Sequence, residues 1–432
     1  MTTPASEEKT EVGSYFISNY PPFSFWKKEW IDRAEAALDR PPKPGTPLGL
    51  YIHIPFCRKR CKFCYFRVYT DKNSQEVERY VRALANEVDL YKGRPALVSR
   101  PLSFAYFGGG TPSFLSEKQL LSLVERLRSS VSFDGAEEVT FECEPGTLTA
   151  RKLQVIREIG VTRLSLGVEN FSDSILEEGG RAHRSEEVFR AYAWAREVGF
   201  EQVNIDLIAG MVGETWDNWR ECVRKTIDLA PDSVTIYQLE LPWNAIYARS
   251  LGGINAADWK TKRDWVDHAF SELEAVGYHV SSAYTVVRDS STRFVYRDAV
   301  WRGADMLGTG VASFSHLGGV HYQNLDGFEE YAAALETGRL PLGRAMEPSP
   351  RELLIRELVL QLKLGRLDGS YFLQKFGLDV LQEFKPAFES LEREGHAQLA
   401  PGSVRLTRQG LLRVDALIPL FFEPQHRGAR YT

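Results

Sequence analysis

The stretch YIHIPFCRKRCKFC, residues 51–64, decides the fold and the chemistry of this chain. Its first half is an apolar run that predicts a buried strand, and its second half carries three cysteines in the spacing Cys-x3-Cys-x2-Cys. Thiolates are the ligands that iron–sulfur clusters select, and a [4Fe–4S] cubane held by only three cysteines keeps one iron free for another ligand. Cys57, Cys61 and Cys64 are therefore predicted to hold a reactive cluster. A structural zinc site is the alternative, but it needs a fourth Cys or His, for which His53 is the nearby candidate.

A glycine-rich motif, Gly108-Gly109-Gly110-Thr111-Pro112, follows about 50 residues after the cysteines. Together, the two motifs resemble the radical S-adenosylmethionine (SAM) superfamily, and specifically its oxygen-independent coproporphyrinogen III oxidase-like branch. The resemblance runs from about Tyr15 to the C-terminal region. It implies that the amino and carboxylate groups of SAM chelate the open iron. It also implies that an injected electron splits SAM into methionine and a 5′-deoxyadenosyl radical.

Composition limits the class of protein. The chain has 432 residues, of which 43% are hydrophobic, enough for one large α/β core and a smaller attached unit. The net charge of −5 gives no sign of nucleic-acid binding. No apolar stretch reaches the roughly 18 residues that span a bilayer, and the N-terminus lacks the pattern of a signal peptide, so we expect a cytoplasmic protein. Five cysteines, three of them clustered, do not form a disulfide framework.

Strands and helices alternate from residue 48 to about 238, which predicts a parallel sheet with right-handed crossovers. The predicted fold is a partial (β/α)6 TIM-like barrel with an N-terminal arm and a C-terminal winged-helix-like α+β domain. The motifs follow successive strands, so they are expected to share the rim at the carboxyl ends of the strands. The predicted strands span residues 50–54, 102–107, 138–142, 163–167, 202–208 and 233–237.

Three units are expected along the chain. Residues 1–47 form an arm and linker, with a polar and disordered start over residues 1–13. Residues 48–325 form the barrel with a C-terminal strand extension, and residues 326–432 form the helical, winged-helix-like domain. In the family this last unit is a cap, so no DNA binding is expected of it. The aromatic arm has two open roles: it either plugs the bottom of the barrel or stacks a flat substrate on Tyr20, Phe23 and Trp26.

The branch binds two SAM molecules, and its contact positions are carried over where motifs match. Gly109 would contact the methionyl part of the first molecule, while Gly110 and Thr111 face the second site. Glu142 would accept ribose hydroxyls of the first molecule, and Arg181 would bind a carboxylate of the second through its fork. The remaining positions are Tyr51 and Phe314 for the first molecule, and Phe63, Glu169, Asp206 and Leu239 for the second.

Two of these positions depart from the pattern of the oxidases. Glu169 stands where they have glutamine, which keeps an acceptor but adds charge, and Leu239 replaces a smaller residue.

Three functions fit this resemblance. The oxidase carries a fourth cysteine two residues after the third, where this chain has Phe66. The haem-chaperone branch carries the motif His-Asn-x-x-Tyr-Trp, which here reads Tyr-Arg-Asp-Ala-Val-Trp at residues 296–301 and lacks the histidine. The class C methyltransferases share the three-cysteine motif, the arm and the positions for two cofactors. We therefore favour methylation or cyclopropanation of an sp2 carbon in an aromatic, quinone or polyene substrate, and a tetrapyrrole also fits as a flat substrate.

In the mechanism that the resemblance implies, the adenosyl radical takes hydrogen from the methyl group of the second SAM. The methylene radical adds to the substrate, and S-adenosylhomocysteine leaves with the help of a base. A flavodoxin- or ferredoxin-like protein would donate the electron. The candidate bases are Tyr65, Glu240, Tyr237 and His316, and for His316 a place in the core is equally compatible with the sequence.

Overall fold

The computed structural model describes residues 18–242, 244–249 and 256–429. The predicted disordered start, residues 1–13, and the first residues of the aromatic arm lie outside these ranges. The strands are β1 (Leu48–Ile54), β2 (Leu102–Gly109), β3 (Glu138–Cys143), β4 (Arg163–Glu169), β5 (Gln202–Ala209), β6 (Ser233–Gln238), β7 (His279–Val280), β8 (Thr285–Val287), β9 (Asp305–Thr309), β10 (Phe314–Leu317), β11 (Val320–Asn324), β12 (Leu342–Met346), β13 (Arg366–Asp368), β14 (Ala397–Ala400) and β15 (Ser403–Leu406).

The α-helices cover the sheet and build the C-terminal unit. They are α1 (Ile31–Leu38), α2 (Ser74–Tyr91), α3 (Glu117–Ser130), α4 (Ala150–Glu158), α5 (Asp173–Glu178), α6 (Ser185–Val198), α7 (Trp216–Leu229), α8 (Ile246–Arg249), α9 (Trp259–Ala275), α10 (Val295–Val300), α11 (Phe328–Glu336), α12 (Pro350–Leu362), α13 (Gly369–Phe376), α14 (Val380–Glu383), α15 (Lys385–Arg393), α16 (Arg408–Leu412) and α17 (Val414–Leu417). Short 3-10 turns occupy Phe23–Phe25, Lys28–Trp30, Pro112–Phe114, Pro145–Thr147, Ile418–Phe421 and Pro424–His426.

The large sheet has the order β12-β11-β10-β9-β1-β2-β3-β4-β5-β6-β8-β7. Strands β9 and β1 to β6 run parallel, and the flanking strands pair antiparallel. Buried residues dominate the parallel strands, as expected for a sheet with both faces covered. The fold class is therefore confirmed: this is a partial TIM-like barrel, with one more parallel strand, β9, than the six expected.

The helix that precedes β2 illustrates how local sequence fixes the elements. Asn73 accepts the backbone N–H groups of Gln75 and Glu76, and the Glu76 carboxylate accepts the N–H of Asn73. This capping box starts α2 at Ser74. The apolar face of the helix, which includes Val77 and Leu84, is buried in the main core.

The sheet continues beyond residue 325. Strand β12 pairs with β11, and α11 packs against α2, so the division expected at 325 and 326 falls within the barrel sheet. The C-terminal unit begins with α12 and continues with β13, the helices α13, α14 and α15, and the hairpin β14–β15, and its sheet has the order β13-β15-β14. That is the order of a winged-helix unit. Its apolar residues, which include Leu358 and Phe388, form a cluster distinct from the main barrel core, and this cluster also takes in Phe104 of β2 and Val300 of α10.

The arm packs against protein rather than lining a cavity. Tyr20 is buried against Phe422 and His426, and its backbone oxygen lies 3.1 Å from His321 Nε2. Trp26 is buried as well. These two rings are not available to stack a substrate, so the contacts favour the packing role for the arm.

Among the residues that the structure describes, no helix is long and apolar enough to cross a membrane.

Candidate active site

The cysteine loop leaves the carboxyl end of β1 and is closed by backbone hydrogen bonds. The Cys57 N–H donates to the Tyr69 carbonyl at 3.1 Å, and the Tyr69 N–H donates to the Pro55 carbonyl at 2.8 Å. The Lys62 N–H donates to the Gly179 carbonyl at 2.9 Å, which ties the loop to the end of α5. All three cysteines of the loop are partly exposed and line one cavity.

Two donors point at the sulfur atoms. Thr111 Oγ1 lies 3.3 Å from Cys57 Sγ, and Arg181 Nη1 lies 3.5 Å from Cys61 Sγ. Such donors stabilise a thiolate more than a thiol. Burial raises the pKa of Cys64 to about 12, so this group ionises at neutral pH only when a metal displaces its proton.

The loop offers three thiolates, the ligand type that iron–sulfur clusters select. Among the described residues, no group of three or more His, Cys, Asp or Glu side chains could hold one metal ion. A cubane places each thiolate on a different iron and therefore needs no common centre for the three sulfur atoms. His53, the fourth ligand of the zinc alternative, is buried with its Nδ1 3.3 Å from the Tyr51 hydroxyl. These residues fit a [4Fe–4S] cluster.

The glycine run packs the end of β2 onto the cysteine loop. Gly109 has a φ of +114°, and a Cβ there would lie 2.6 Å from the His53 ring. A Cβ on Gly110 would lie 2.9 Å from the Pro55 carbonyl carbon and 3.1 Å from Cys57 Sγ. A side chain at either position would collide with these neighbours. Glycine is therefore required at both positions, because the end of β2 approaches β1 and the cysteine loop closely.

Glu142 lies beside the glycine run at the end of β3. It accepts hydrogen bonds from the Tyr106 hydroxyl at 2.7 Å and from the Gly109 N–H at 3.2 Å. Burial raises the pKa of Glu142 to about 7, and the nearby Asp206 adds to the rise. The group is thus a hydrogen-bonding carboxyl whose charge changes near neutral pH.

A second polar group lies at the ends of β4 and β5. Arg181 Nη1 is 3.5 Å from Glu169 Oε1, and its Nη2 donates to the Gly167 carbonyl at 2.5 Å. Burial raises the pKa of Glu169 to about 7, although Arg181 opposes the rise. Asp206 accepts from Ser165 Oγ at 2.7 Å, and burial raises its pKa above the ordinary range.

An ion pair that the sequence did not indicate anchors the cysteine loop. Arg58 donates to the two oxygens of Glu144 at 3.0 and 2.7 Å, and His183 Nδ1 lies 3.6 Å from the same carboxylate. Burial would raise the pKa of Glu144, but contacts with His183 and Arg58 bring it down to about 2. The available signal was the run of carboxylates in Phe141-Glu142-Cys143-Glu144-Pro145, of which the second was overlooked.

The cysteines, the glycine run and the charged residues Arg58, Glu142, Glu144, Glu169, Arg181 and Asp206 face one cavity of about 400 Å³. The barrel rim supplies most of its wall, and the C-terminal unit supplies the rest through residues that sequence reasoning missed, Leu412, Arg413, Asp415 and Ala416. Site residues expected from the sequence that line it are Cys57, Cys61, Phe63, Cys64, Tyr65, Gly109, Gly110, Thr111, Glu142, Glu169, Arg181, Asp206, Tyr237, Leu239 and Glu240.

Three expected site residues do not line this cavity. Tyr51 lies behind the wall, with its ring stacked 5.8 Å from Tyr106. Phe314 stacks on Phe23 of the arm at 4.2 Å. His316 is buried on β10, far from the rim, with its Nδ1 2.9 Å from His321 Nδ1. This position does not support His316 as a base, because the imidazole cannot reach a substrate in the cavity.

Comparisons with known proteins agree with this site. The Radical SAM superfamily matches residues 51–226. The heme chaperone HemW of Bacillus subtilis is 28% identical over 370 residues, which cover 84% of this chain and 96% of the relative. The oxygen-independent coproporphyrinogen III oxidase of Pseudomonas aeruginosa is 27% identical over 406 residues, covering 88% of this chain and 86% of the relative.

A solved structure, that of coproporphyrinogen III oxidase (HemN) from Escherichia coli, a radical SAM enzyme, superimposes with a TM-score of 0.81 at 25% identity. The match covers 94% of this chain and 96% of the other. Fold, cysteine loop and relatives together define a radical SAM enzyme. Within that superfamily, the chain resembles both the oxygen-independent coproporphyrinogen III oxidases and the heme chaperone HemW. Membership implies a [4Fe–4S] cluster and SAM.

Proposed function

We propose that this enzyme binds two SAM molecules and methylates or cyclopropanates an sp2 carbon of a flat aromatic, quinone or polyene substrate. The observation that carries the proposal is Phe66. It stands where the oxidases have their fourth cysteine, it lines the cavity, and it is 49% exposed. Its ring centroid lies 4.6 Å from that of Tyr65, so the two form an aromatic wall suited to a planar substrate.

The two groups of polar side chains support two nucleotide positions. When bound, the cluster supplies the electron that cleaves the sulfonium of SAM. Glu142 and the Gly109 backbone would bind one molecule, with the carboxyl oxygens accepting ribose hydroxyls. Arg181 would bind the carboxylate of the other, where Glu169 and Asp206 offer further acceptors.

The base that accepts the proton during release of S-adenosylhomocysteine must be a group that faces the cavity. Tyr65, Tyr237 and Glu240 all line it, and Asp415 of the C-terminal unit joins them. A carboxylate is the better acceptor at neutral pH, since burial raises the pKa of Tyr65. We therefore assign the base to Glu240 and leave the tyrosines to orient the substrate.

The electron donor is proposed to be a flavodoxin- or ferredoxin-like protein that docks on the cysteine loop. Lys59 and Arg60 are exposed on this loop and line the cavity that holds the cysteines. Positive charge at this point would complement an acidic donor and speed its encounter.

Anaerobic incubation of the reconstituted enzyme with methyl-deuterated SAM, a reductant and a panel of flat substrates tests this proposal. Methyl transfer from the second molecule predicts deuterated 5′-deoxyadenosine together with S-adenosylhomocysteine. Unlabelled 5′-deoxyadenosine without S-adenosylhomocysteine would contradict it. Haem binding by the metal-free chain without either product would point instead to a chaperone.

Coproporphyrinogen oxidation is the second candidate function. It is favoured by the similarity to the Escherichia coli and Pseudomonas aeruginosa enzymes over most of this chain. The same incubation with coproporphyrinogen III decides between the two, because decarboxylation would establish oxidase activity despite Phe66.

A further inference from the structure

A second large cavity opens at the other end of the barrel. It lies between β7, β8 and α10 of the barrel and the sheet β13-β15 of the C-terminal unit, with a volume of about 600 Å³. Val287, which lines it, pairs with Ser233, the first residue of β6. The cavity is therefore at the amino-terminal edge of the parallel sheet, opposite the cysteine rim.

Arginine dominates the wall of this cavity. It is lined by six arginines and two carboxylates, and two of the arginines also pair with carboxylates outside the wall, Arg293 with Glu137 at 3.1 Å and Arg408 with Asp267 at 3.8 Å. An excess of two positive charges remains, in a protein whose net charge is −5. The charged residues are Arg293, Arg297, Arg302, Arg366, Arg405, Arg408, Glu274 and Asp298. A concave site whose charges are mostly positive concentrates the electrostatic field and attracts an anion.

Two of these arginines face each other across a strand pair. Arg366 of β13 and Arg405 of β15 are directly opposite in the antiparallel register, while their neighbours Leu367 and Val404 turn to the core. Within the described ranges, neither guanidinium has a carboxylate within 4 Å. Like charges directly opposite destabilise a sheet, and an anion between them would remove that repulsion.

A third arginine has unused hydrogen-bonding capacity. Arg297 is 7% exposed and pairs with Asp298 through Nη2 at 2.7 Å, yet its Nη1 is buried with no hydrogen-bond partner among the described residues. A buried donor left unpaired costs free energy, which a bound anion nearby could recover through rearrangement of the guanidinium.

We propose that this cavity binds a small organic phosphate. The arginine fork matches phosphate oxygens in pairs, and Arg366 and Arg405 are exposed enough to reach them. The cavity volume is in the range of small-molecule sites. An apolar strip along the same wall would receive the organic part of the ligand, and its residues are Val280, Val287, Leu364, Leu406 and Leu411. Since the wall comes from both the barrel and the C-terminal unit, the bound anion would stabilise their junction.

Calorimetric titration of the full-length enzyme with inorganic pyrophosphate tests the site without reference to catalysis. We expect saturable binding that weakens about tenfold in Arg366→Ala and in Arg405→Ala, because each variant loses a charge-assisted contact. Without pyrophosphate, both variants should denature at the same temperature as the wild type or higher, since the repulsion is gone.

Two control variants test whether pyrophosphate binds at this cavity and not elsewhere on the surface. Arg151→Ala removes an exposed arginine of α4, and Lys59→Ala removes a cation of the cysteine loop. Both should bind pyrophosphate within about twofold of the wild type, as expected for surface charges distant from the ligand. Absence of saturable pyrophosphate binding to the wild type would overturn the proposal. So would a loss of affinity in Lys59→Ala or Arg151→Ala as large as that in the Arg366 and Arg405 variants.

Discussion

Replacing Glu144 by glutamine tests whether its ion pair with Arg58 holds the cysteine loop in place. Glu144 is 7% exposed and accepts both arms of the Arg58 fork. Its pKa of about 2 lies below the ordinary 4.5, which corresponds to roughly 3 kcal/mol in favour of the ionised folded state. Glutamine keeps the shape but turns an NH2 group toward the guanidinium. We therefore expect a loss of about 2–3 kcal/mol in the free energy of unfolding.

The matched control is Glu178→Gln, which breaks a second ion pair of the same loop. Lys62 and Glu178 are 3.1 Å apart, but their side chains are 37% and 49% exposed. Solvent screens such a pair, so its loss should cost less than about 1 kcal/mol. Urea denaturation of both metal-free variants at pH 7 gives the comparison, and iron retained after reconstitution reports on the loop. Equal destabilisation by the two substitutions would refute the reasoning.

The contribution of the Arg58–Glu144 ion pair to folding stability should depend on pH with a defined sign. Because the pKa of Glu144 is lower in the folded chain, its contribution is complete above about pH 4.5 and disappears as the pH falls toward about 2. The difference in stability between wild type and Glu144→Gln should shrink over that window. A difference that stays constant from pH 7 to pH 2 would contradict this assignment.

Three further substitutions probe the cavity. Glu142→Gln exchanges an acceptor oxygen for an NH2 group that faces donors already bonded there, so SAM affinity, measured by anaerobic equilibrium binding, should fall about 10- to 100-fold. Gly110→Ala places a Cβ 3.1 Å from Cys57 Sγ, so iron bound per chain should drop while the far-UV circular dichroism stays unchanged. Arg181→Lys removes the fork that lies 3.5 Å from Glu169, so kinetics should show a raised KM for SAM, and an unchanged KM would exclude this contact.

Much of the fold could be predicted because the barrel strands are apolar runs separated by well-capped helices. The errors occur where local sequence carries little signal. Strand β9 is short and contains Gly308, and β13 has three residues, so neither stands out until its partner is known. Helices α14 and α15 are separated at Phe384, and α15 begins with Pro386 in its first turn.

In the candidate site as well, some residues could be predicted from the sequence and others could not. The cysteines and the glycine run were found because their chemistry lies in contiguous motifs. Asp415 was missed because it enters the cavity from a separate segment, and only the tertiary fold brings it there. Glu144 was overlooked beside Glu142 because its partner, Arg58, lies 86 residues away along the chain. His316 was chosen for its chemistry, but its strand turns it into the core beside His321. Residue type alone does not tell which way a side chain points.

We propose that Cys57, Cys61 and Cys64 hold a cubane with one open iron at which SAM is cleaved. Anaerobic reconstitution with iron and sulfide, followed by reduction in the presence of SAM, tests it most directly. We expect about four irons per chain and the formation of 5′-deoxyadenosine, and we expect both to be lost in Cys61→Ala. Zinc in place of iron, or intact SAM after reduction of a fully loaded protein, would contradict it.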